Sequence, residues 1–467
     1  MALGFRLRDI SLFERPVRFA KPFRFGAVTI NATPQLFVRV EIEDESGGSF
    51  VGAAAELLVP KWFDKRPQHS LADTVADLRR SLAIACRLYL DRDCFDTAFG
   101  LHAACIGAQL SACAEEDIPP LAAAYGPAEI DKAVLDAVLR AAGTDVFSGM
   151  AKNIAGLDAR LALDLSDGEI GAFLAARKPL AWVAVRHTVG LDDRIEGEGG
   201  VADPSENGGA RYFKLKLSGD PHADAGRLAR IASELAKLPH DYMVTLDANE
   251  QYAETHALHA LVDRLDNDRS LAPFAVRLLY IEQPLPRDLT WQAPLGTLAS
   301  RDFIIDEADD GYDAFPRARQ FGYRGVSSKS CKGIYKSLLN AVRAAKWNAA
   351  GDRFFVSAED LTCQPGLALQ QDLALCALLG LHHTERNGHH YVVGFGEAPD
   401  QEVALFAVCH ADLYRREPAG VRLALHDGNL LTQSLGAVGF ASSVHPDWSS
   451  LSPLQQTVPR FSKEHIV

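Results

Sequence analysis

Six ionisable residues in the middle of this 467-residue sequence fall at matching points of successive strand-like runs. Lys214 and Lys216 stand two apart in Arg211-Tyr212-Phe213-Lys214-Leu215-Lys216-Leu217. Side chains at i and i+2 leave a strand on one face, so both ammonium groups point one way and Phe213, Leu215 and Leu217 the other. Neighbouring like charges lower each other's pKa, which predicts a lysine base near neutral pH. Asp247, Glu282 and Asp306 each end an apolar run, with Glu307 next to Asp306, and Lys329 ends another. Carboxylates converging in one mouth repel unless a cation lies among them. Oxygen ligands unaccompanied by His or Cys suit Mg²⁺ rather than Zn²⁺. Lys216 and Lys329 on either side would then give a metal to hold a carboxylate and a base on each face of it.

The spacing says which elements must position these groups. Lys216 precedes Asp247 by 31 residues, Glu282 follows Asp247 by 35, Asp306 follows Glu282 by 24, and Lys329 follows Asp306 by 23. A (β/α)8 barrel uses about 30 residues per strand-helix unit. The runs Ala181 to Val189, Tyr212 to Leu217, Asp241 to Asn249, Arg277 to Pro284, Phe303 to Glu307, Gly325 to Lys329 and Phe354 to Ser357 alternate with helical stretches, the pattern of parallel strands with crossover helices. His382-His383 and His389-His390-Tyr391 precede an apolar run, Val392 to Phe395, near the expected eighth strand.

Residues 1–150 read differently. Strands are predicted over Phe25 to Asn31, Leu36 to Ile42 and Ser49 to Ala54, then helices over Leu71 to Leu90, Ala98 to Cys113 and behind Pro127, which gives an α+β unit. Two segments expected as loops mix cations with aromatics: Arg15 to Arg24, with Lys21 and Arg24, and Leu57 to Lys65, with Lys61, Trp62 and Lys65. Together they would form a lid that reads an anionic substrate.

At 48% apolar and 23% charged, the composition is globular rather than disordered. A net charge of -13 argues against nucleic acid or an anionic membrane as partner. Eight cysteines without a Cys-x-x-Cys pair, no signal-peptide-like start and no run approaching the roughly 18 apolar residues of a membrane span predict a cytoplasmic protein.

Lys214-Leu215-Lys216, Asp247-Ala248-Asn249, Ile281-Glu282-Gln283-Pro284, Ile305-Asp306-Glu307, and Lys329 followed by Gly333 stand in the order of the enolase superfamily. Over nearly its whole length the chain resembles the muconate-lactonizing-enzyme-like members of the mandelate racemase/muconate lactonizing enzyme family. The resemblance implies a capping domain over 1–150, a (β/α)8-type barrel over 151–400 and a C-terminal segment, 401–467, that returns to the cap. It implies Mg²⁺ held by Asp247, Glu282 and Asp306, with Glu307 as the alternative third ligand. Lys216 and Lys329 become an acid/base pair, and Lys214 the cation that lowers the pKa of Lys216 and helps hold the substrate carboxylate. It also implies a homo-oligomer and a small carboxylate substrate. Removing the proton next to that carboxylate makes an enediolate, whose second negative charge a metal stabilises. Bases on both faces allow racemisation or epimerisation, and one base alone allows elimination, as in a dehydratase, or cycloisomerisation.

Several features depart from that pattern. Residues 191–210 are rich in Gly and acids where the first barrel helix should lie. The Asp-x-Asp of dipeptide epimerases is not evident near the eighth strand, and no His ends the Phe354 to Ser357 strand. Lys21, Arg24, Trp62, His187, Asn249, Glu359 and His390 are the expected substrate contacts. Asn249 would also brace the metal shell, and Glu359 with Asp360 would orient Lys329 or cap the next helix. The competing readings are an inactive metal-binding barrel serving as a binding or scaffold protein, and a phosphate-binding barrel such as an aldolase. Gly394-Phe395-Gly396 is too little glycine for the latter.

Overall fold

The computed structural model describes residues 2–454 apart from 27, 393 and 419. The chain opens as an antiparallel sheet of β1 (Phe5–Phe25), β2 (Val28–Asp44) and β3 (Ser49–Leu57). On β2 the fully buried Leu36, Val38, Val40 and Ile42 recur at every second residue, the period of a sheet with one face in the core. Helices Leu71–Leu90 and Tyr125–Ala141 supply that core, the first opened by a capping box between Ser70 and Asp73.

Arg15 to Arg24, expected as a loop, is instead the far half of β1, paired with β2 from Arg15↔Gln35 to Arg24↔Thr29, with a register shift between Arg18 and Phe23. Pro16 and Pro22 are tolerated because beyond Glu14 the other edge of β1 meets only an isolated bridge at Phe19, so their missing N–H groups fall where no strand needs them.

The second unit is a closed parallel barrel of β4 (Trp182–Val189), β5 (Tyr212–Lys216), β6 (Met243–Asp247), β7 (Leu278–Glu282), β8 (Phe303–Ile305), β9 (Gly325–Ser328), β10 (Phe355–Ala358) and β11 (His383–Glu385). β11 closes it by pairing with β4 at His383↔Ala184. The eighth strand thus lies before the apolar run expected to form it. That run packs elsewhere: Tyr391 sits edge-on to Phe23 at 4.6 Å and Phe395 lies 5.5 Å from Phe406. Helices Pro221–Leu235, Thr255–Asn267, Ala314–Gln320, Ile334–Ala349 and Leu367–Leu379 surround the barrel. After β4 only the short turn Pro204–Asn207 stands in for a helix, as the Gly- and acid-rich stretch suggested.

Beyond the barrel come a hairpin of β12 (Tyr414–Glu417) and β13 (Gly420–Leu423), then β14 (Asn429–Leu431), which pairs antiparallel with β4. The chain ends its described course as β15 (Ser452–Pro453) against β1. Residues 455–467 of the segment expected to return to the cap lie outside the described residues. No described helix is long and apolar enough to cross a membrane, and all eight cysteines are free.

Asp136, buried on helix Tyr125–Ala141, ties these parts together. It accepts the amide of Ala53 on β3 at 2.9 Å and that of Phe440 from the C-terminal segment at 2.6 Å, with Arg140 and His445 alongside. Asp136→Ala would leave both amides without their acceptor and take a partner from Arg140 and His445. We expect a loss of about 3–5 kcal/mol of unfolding free energy in urea titration, against a change within about 0.5 kcal/mol for an exposed control substitution.

Candidate functional site

Strand register assembles the site. Lys216, Asp247 and Glu282 are aligned neighbours across β5, β6 and β7, and Glu282 pairs with Ile304 two residues before Asp306. Alternation sends Lys214 and Lys216 into the barrel and leaves Phe213, Leu215 and Leu217 buried on the other face. Lys329 directly follows β9, four strands round from β5, so it and Lys216 approach from opposite walls. Both border a cavity of about 20 Å³, with Lys214, Asp247, Asn249, Glu385 and, from the cap, Phe23, Phe25, Val59 and Trp62. A water needs about 10–15 Å³ of such space, so with the cap down the chamber admits little more than one.

The charge at its centre is Lys214. Its ammonium touches Asp247 Oδ2 at 2.9 Å, Glu359 Oε2 at 2.7 Å, Glu385 Oε2 at 2.8 Å and both Glu282 oxygens, at 3.0 and 2.9 Å. An ammonium has three protons for these four carboxylates, and Glu282 Oε2 is left without an aligned hydrogen bond among the described residues. Burial opposes the charge on Lys214, but Asp247, Glu282, Glu359 and Glu385 outweigh it and hold the group well above the ordinary lysine range. For Lys214 this corrects the expectation that a neighbouring lysine pushes it toward neutrality. In this barrel the carboxylates, not the second lysine, dominate the field.

The other groups sort around that centre. Lys216 donates to Asp247 Oδ2 at 2.6 Å and Asn249 Oδ1 at 2.8 Å. Lys329 donates to Asp306 Oδ2 at 2.5 Å with its ammonium 4.1 Å from the centroid of the Trp62 ring, a cation-π contact made across the cap-barrel boundary. Burial works against Lys329 too, yet Asp306 raises it. Lys332 and Ser327 also approach Asp306. Burial and the neighbouring acids Asp247 and Glu359 push Glu282 far up, whereas Asp247 and Asp306 are held down against burial by lysines.

Asp306 and Glu307 part company: Asp306 turns to Lys329, and Glu307 turns up to Lys65 of the cap loop at 2.7 Å and to Asn249. Gln283, with φ +32°, accepts the amides of Asp306 and Ala308 through Oε1 and so fixes the Asp306 turn.

Of the expected substrate contacts, Trp62 and Asn249 border the chamber, and Glu359 lies just beneath it, bound to Lys214 and Arg186 rather than to Lys329. His187 does not reach it. Arg186 and Thr188 take the inward positions of β4, so His187 faces outward, 3.2 Å from His389 and beside His390. Lys21 is paired with Glu206 and Arg24 with Asp192, both on the loop that replaces the first helix. His187, His390 and Lys21 border a separate cavity of about 440 Å³ there. Two inward groups had not been singled out: Arg186, fully buried against Glu359, and Glu385, which ends a strand of only three residues. A polar-x-polar alternation, Arg186-His187-Thr188 and His383-Thr384-Glu385, was the available signal.

Donor chemistry here fits a hard cation: oxygen ligands on adjacent strands, one oxygen lacking an aligned donor, and an ammonium standing between Asp247 and Glu282. Among the described residues Asp247, Glu282 and Asp306 do not close to within 4.8 Å of one another, and Lys214 and Lys329 hold the space they would share.

The sequence matches no protein-family profile and no curated protein. Solved structures share the fold. A mandelate racemase/muconate lactonizing protein from Herpetosiphon aurantiacus is 15% identical with TM-score 0.58, covering 93% of this chain and 98% of that one. An enolase from Bradyrhizobium, complexed with magnesium and mandelic acid, is 16% identical with TM-score 0.59 over 96% and 98%. A dipeptide epimerase from Cytophaga hutchinsonii, complexed with Mg and D-Ala-L-Val, is 14% identical with TM-score 0.59 over 96% and 99%. The chain therefore shares their fold, a closed eight-stranded barrel with an antiparallel sheet domain before it.

Two outcomes follow from this geometry. Lys214→Met should destabilise the metal-free protein by about 3–5 kcal/mol in denaturant titration, because four buried carboxylates lose their shared counter-charge. Glu250 is pushed up by burial but brought down to about 2 by Lys65 and Arg287, and Arg287 also holds the carbonyls of Trp62 and Phe63. A depressed carboxyl stabilises above its unfolded pKa, so this latch is complete above about pH 4.5 and is lost as the pH falls toward 2. Limited proteolysis of the cap loop should accelerate through that window, and Glu250→Gln should show the acid behaviour already at neutral pH.

Proposed function

We propose that this chain is a Mg²⁺-dependent enzyme that removes the proton α to the carboxylate of a small substrate and returns one, giving racemisation or epimerisation. The observation that carries this reading is the pair Lys216 and Lys329, on opposite walls of the barrel, opening onto one chamber beside the carboxylates. Asp247, Glu282 and Asp306 would hold the ion, which supplies positive charge against the substrate carboxylate as the enediolate forms. The magnesium-bound neighbours with mandelic acid or a dipeptide support this class of chemistry.

Asp247 fixes the Lys216 side chain, and Asp306 fixes that of Lys329 and favours its charged form. When these carboxylates turn to a cation, each lysine loses its main partner and is free to approach the substrate, and Lys329 also loses the charge of Asp306 that raises its pKa. Lys216 then takes the proton from one face and Lys329 delivers one to the other. Lys214, released toward Glu359 and Glu385, stays charged beside the substrate carboxylate. Trp62 against Lys329 and Lys65 on Glu307 make the cap the wall that excludes water.

One observation favours the alternative, a barrel without catalysis that serves as a binding or scaffold protein. Asp247, Glu282, Asp306, Glu359 and Glu385 are already answered by Lys214, Lys216, Lys329, Lys332 and Arg186, so each of these carboxylates has a cationic partner among the protein's own side chains.

Incubation with Mg²⁺ and a panel of chiral carboxylic acids in D2O decides between them. Deuterium should enter the α position of at least one acid. Lys216→Ala and Lys329→Ala should each lower exchange about 10²–10⁴-fold in opposite stereochemical series. Elimination would show as loss of a leaving group without exchange in the second series. Exchange untouched by both substitutions would exclude lysine bases, and absence of exchange with the ion bound would leave the non-catalytic reading.

A further inference from the structure

We propose that Asp64, His69 and Asp77 form a second cation site, for a divalent transition-metal ion such as Zn²⁺, at the foot of the cap loop. Asp64 closes the loop that carries Trp62, His69 lies in the bend that follows, and Asp77 is on the second turn of helix Leu71–Leu90. One ligand atom from each, two carboxylate oxygens and an imidazole nitrogen, lies within 4.8 Å of the others. His69 Nδ1 is 3.5 Å from Asp64 Oδ2 and 3.4 Å from Asp77 Oδ2. Two ligands on a tetrahedral ion with bonds of about 2.0–2.1 Å stand roughly 3.4 Å apart.

A second observation is independent of that clustering. Asp77 is only 2% exposed, and its Oδ2 has no hydrogen-bond partner among the described residues; neither does His69 Nδ1. A buried carboxylate oxygen left without a donor is costly, and here it faces a nitrogen whose N–H would be misaligned for it. A shared cation satisfies both.

The surroundings hold these ligands in place. Asp64 accepts the Arg66 amide and guanidinium, Asp77 Oδ1 accepts from Arg80, and the two arginines also meet Asp117 and Glu116. Charged partners of this kind orient ligating carboxylates. Asp64, Asp77, Glu116 and Asp117 against Arg66 and Arg80 leave two negative charges, the complement of a divalent ion. The mixed imidazole-carboxylate set suits zinc, unlike the all-oxygen mouth of the barrel. The half-exposed His69 side gives the ion a way in. Because the site spans loop and helix, the bound ion would tie down the loop that delivers Trp62 and Lys65 to the barrel.

The test is the zinc content of full-length protein after loading with ZnCl₂ and gel filtration. His69→Ala and Asp77→Asn should each carry one zinc per chain fewer than wild type, while Glu282→Gln keeps that ion. Cobalt loaded in its place should give a visible absorption band that His69→Ala abolishes and Glu282→Gln retains. Should Asp77→Asn fail to fold, His69→Ala decides alone. Equal zinc content and equal cobalt spectra in wild type and His69→Ala would overturn the proposal and leave the imidazole as no more than a neighbour of two aspartates. The result is independent of whether the barrel catalyses proton exchange.

Discussion

Everything inside the barrel answers to one constraint: carboxylates gathered in a dry interior must share positive charge. Lys214 meets it by placing three N–H donors among Asp247, Glu282, Glu359 and Glu385. An unpaired buried carboxylate costs several kcal/mol, so the positions of these side chains are set by the cation between them as much as by the backbone beneath. Lys216 and Lys329 are drawn to Asp247 and Asp306 for the same reason. A cation that replaced Lys214 at the centre would reassign partners across the whole mouth. That makes Lys214 the element on which charge state and geometry both turn.

The cap takes part in this balance instead of merely covering it. Lys65 reaches down to Glu250 and Glu307, Arg287 reaches up to the carbonyls of Trp62 and Phe63, and the Trp62 ring lies over the Lys329 ammonium. Each contact joins a loop of the first unit to a strand end of the second. Closing the loop therefore alters the surroundings of the second proposed base directly. Opening it must break ion pairs that are largely hidden from solvent and thus poorly screened by salt.

How much of this was legible in the sequence depended on the physical signal each piece carried. The strands bearing Lys214, Asp247 and Glu282 were readable because apolar runs, an ionisable end and a repeat near 30 residues coincide. β11 was not: three residues with polar side chains carry no apolar run, and the neighbouring Val392 and Phe395 read as strand while Val392 bridges Phe19 of the cap and Phe395 packs on Phe406 and Tyr414. The outer half of β1 contains Pro16, Lys21 and Pro22, which read as a turn until the open edge beside them is known. His187 was assigned to the mouth although strand parity with Arg186 and Thr188 turns it away. The charge on Lys214 is governed by four carboxylates from other strands rather than by the nearest like charge, and pairings such as Lys214 with Glu359 and Glu385 exist only in the folded barrel.

The central cation position is the control point of the proposed enzyme. The most direct measurement is a crystal structure of the protein with Mg²⁺, read at Lys214. The ion is expected between Asp247 and Glu282 with Asp306 turned toward it, the Lys214 ammonium moved onto Glu359 and Glu385, and Lys216 and Lys329 freed of their carboxylates. A Lys214 ammonium still seated between Asp247 and Glu282, with no ion bound at saturating Mg²⁺, would contradict it.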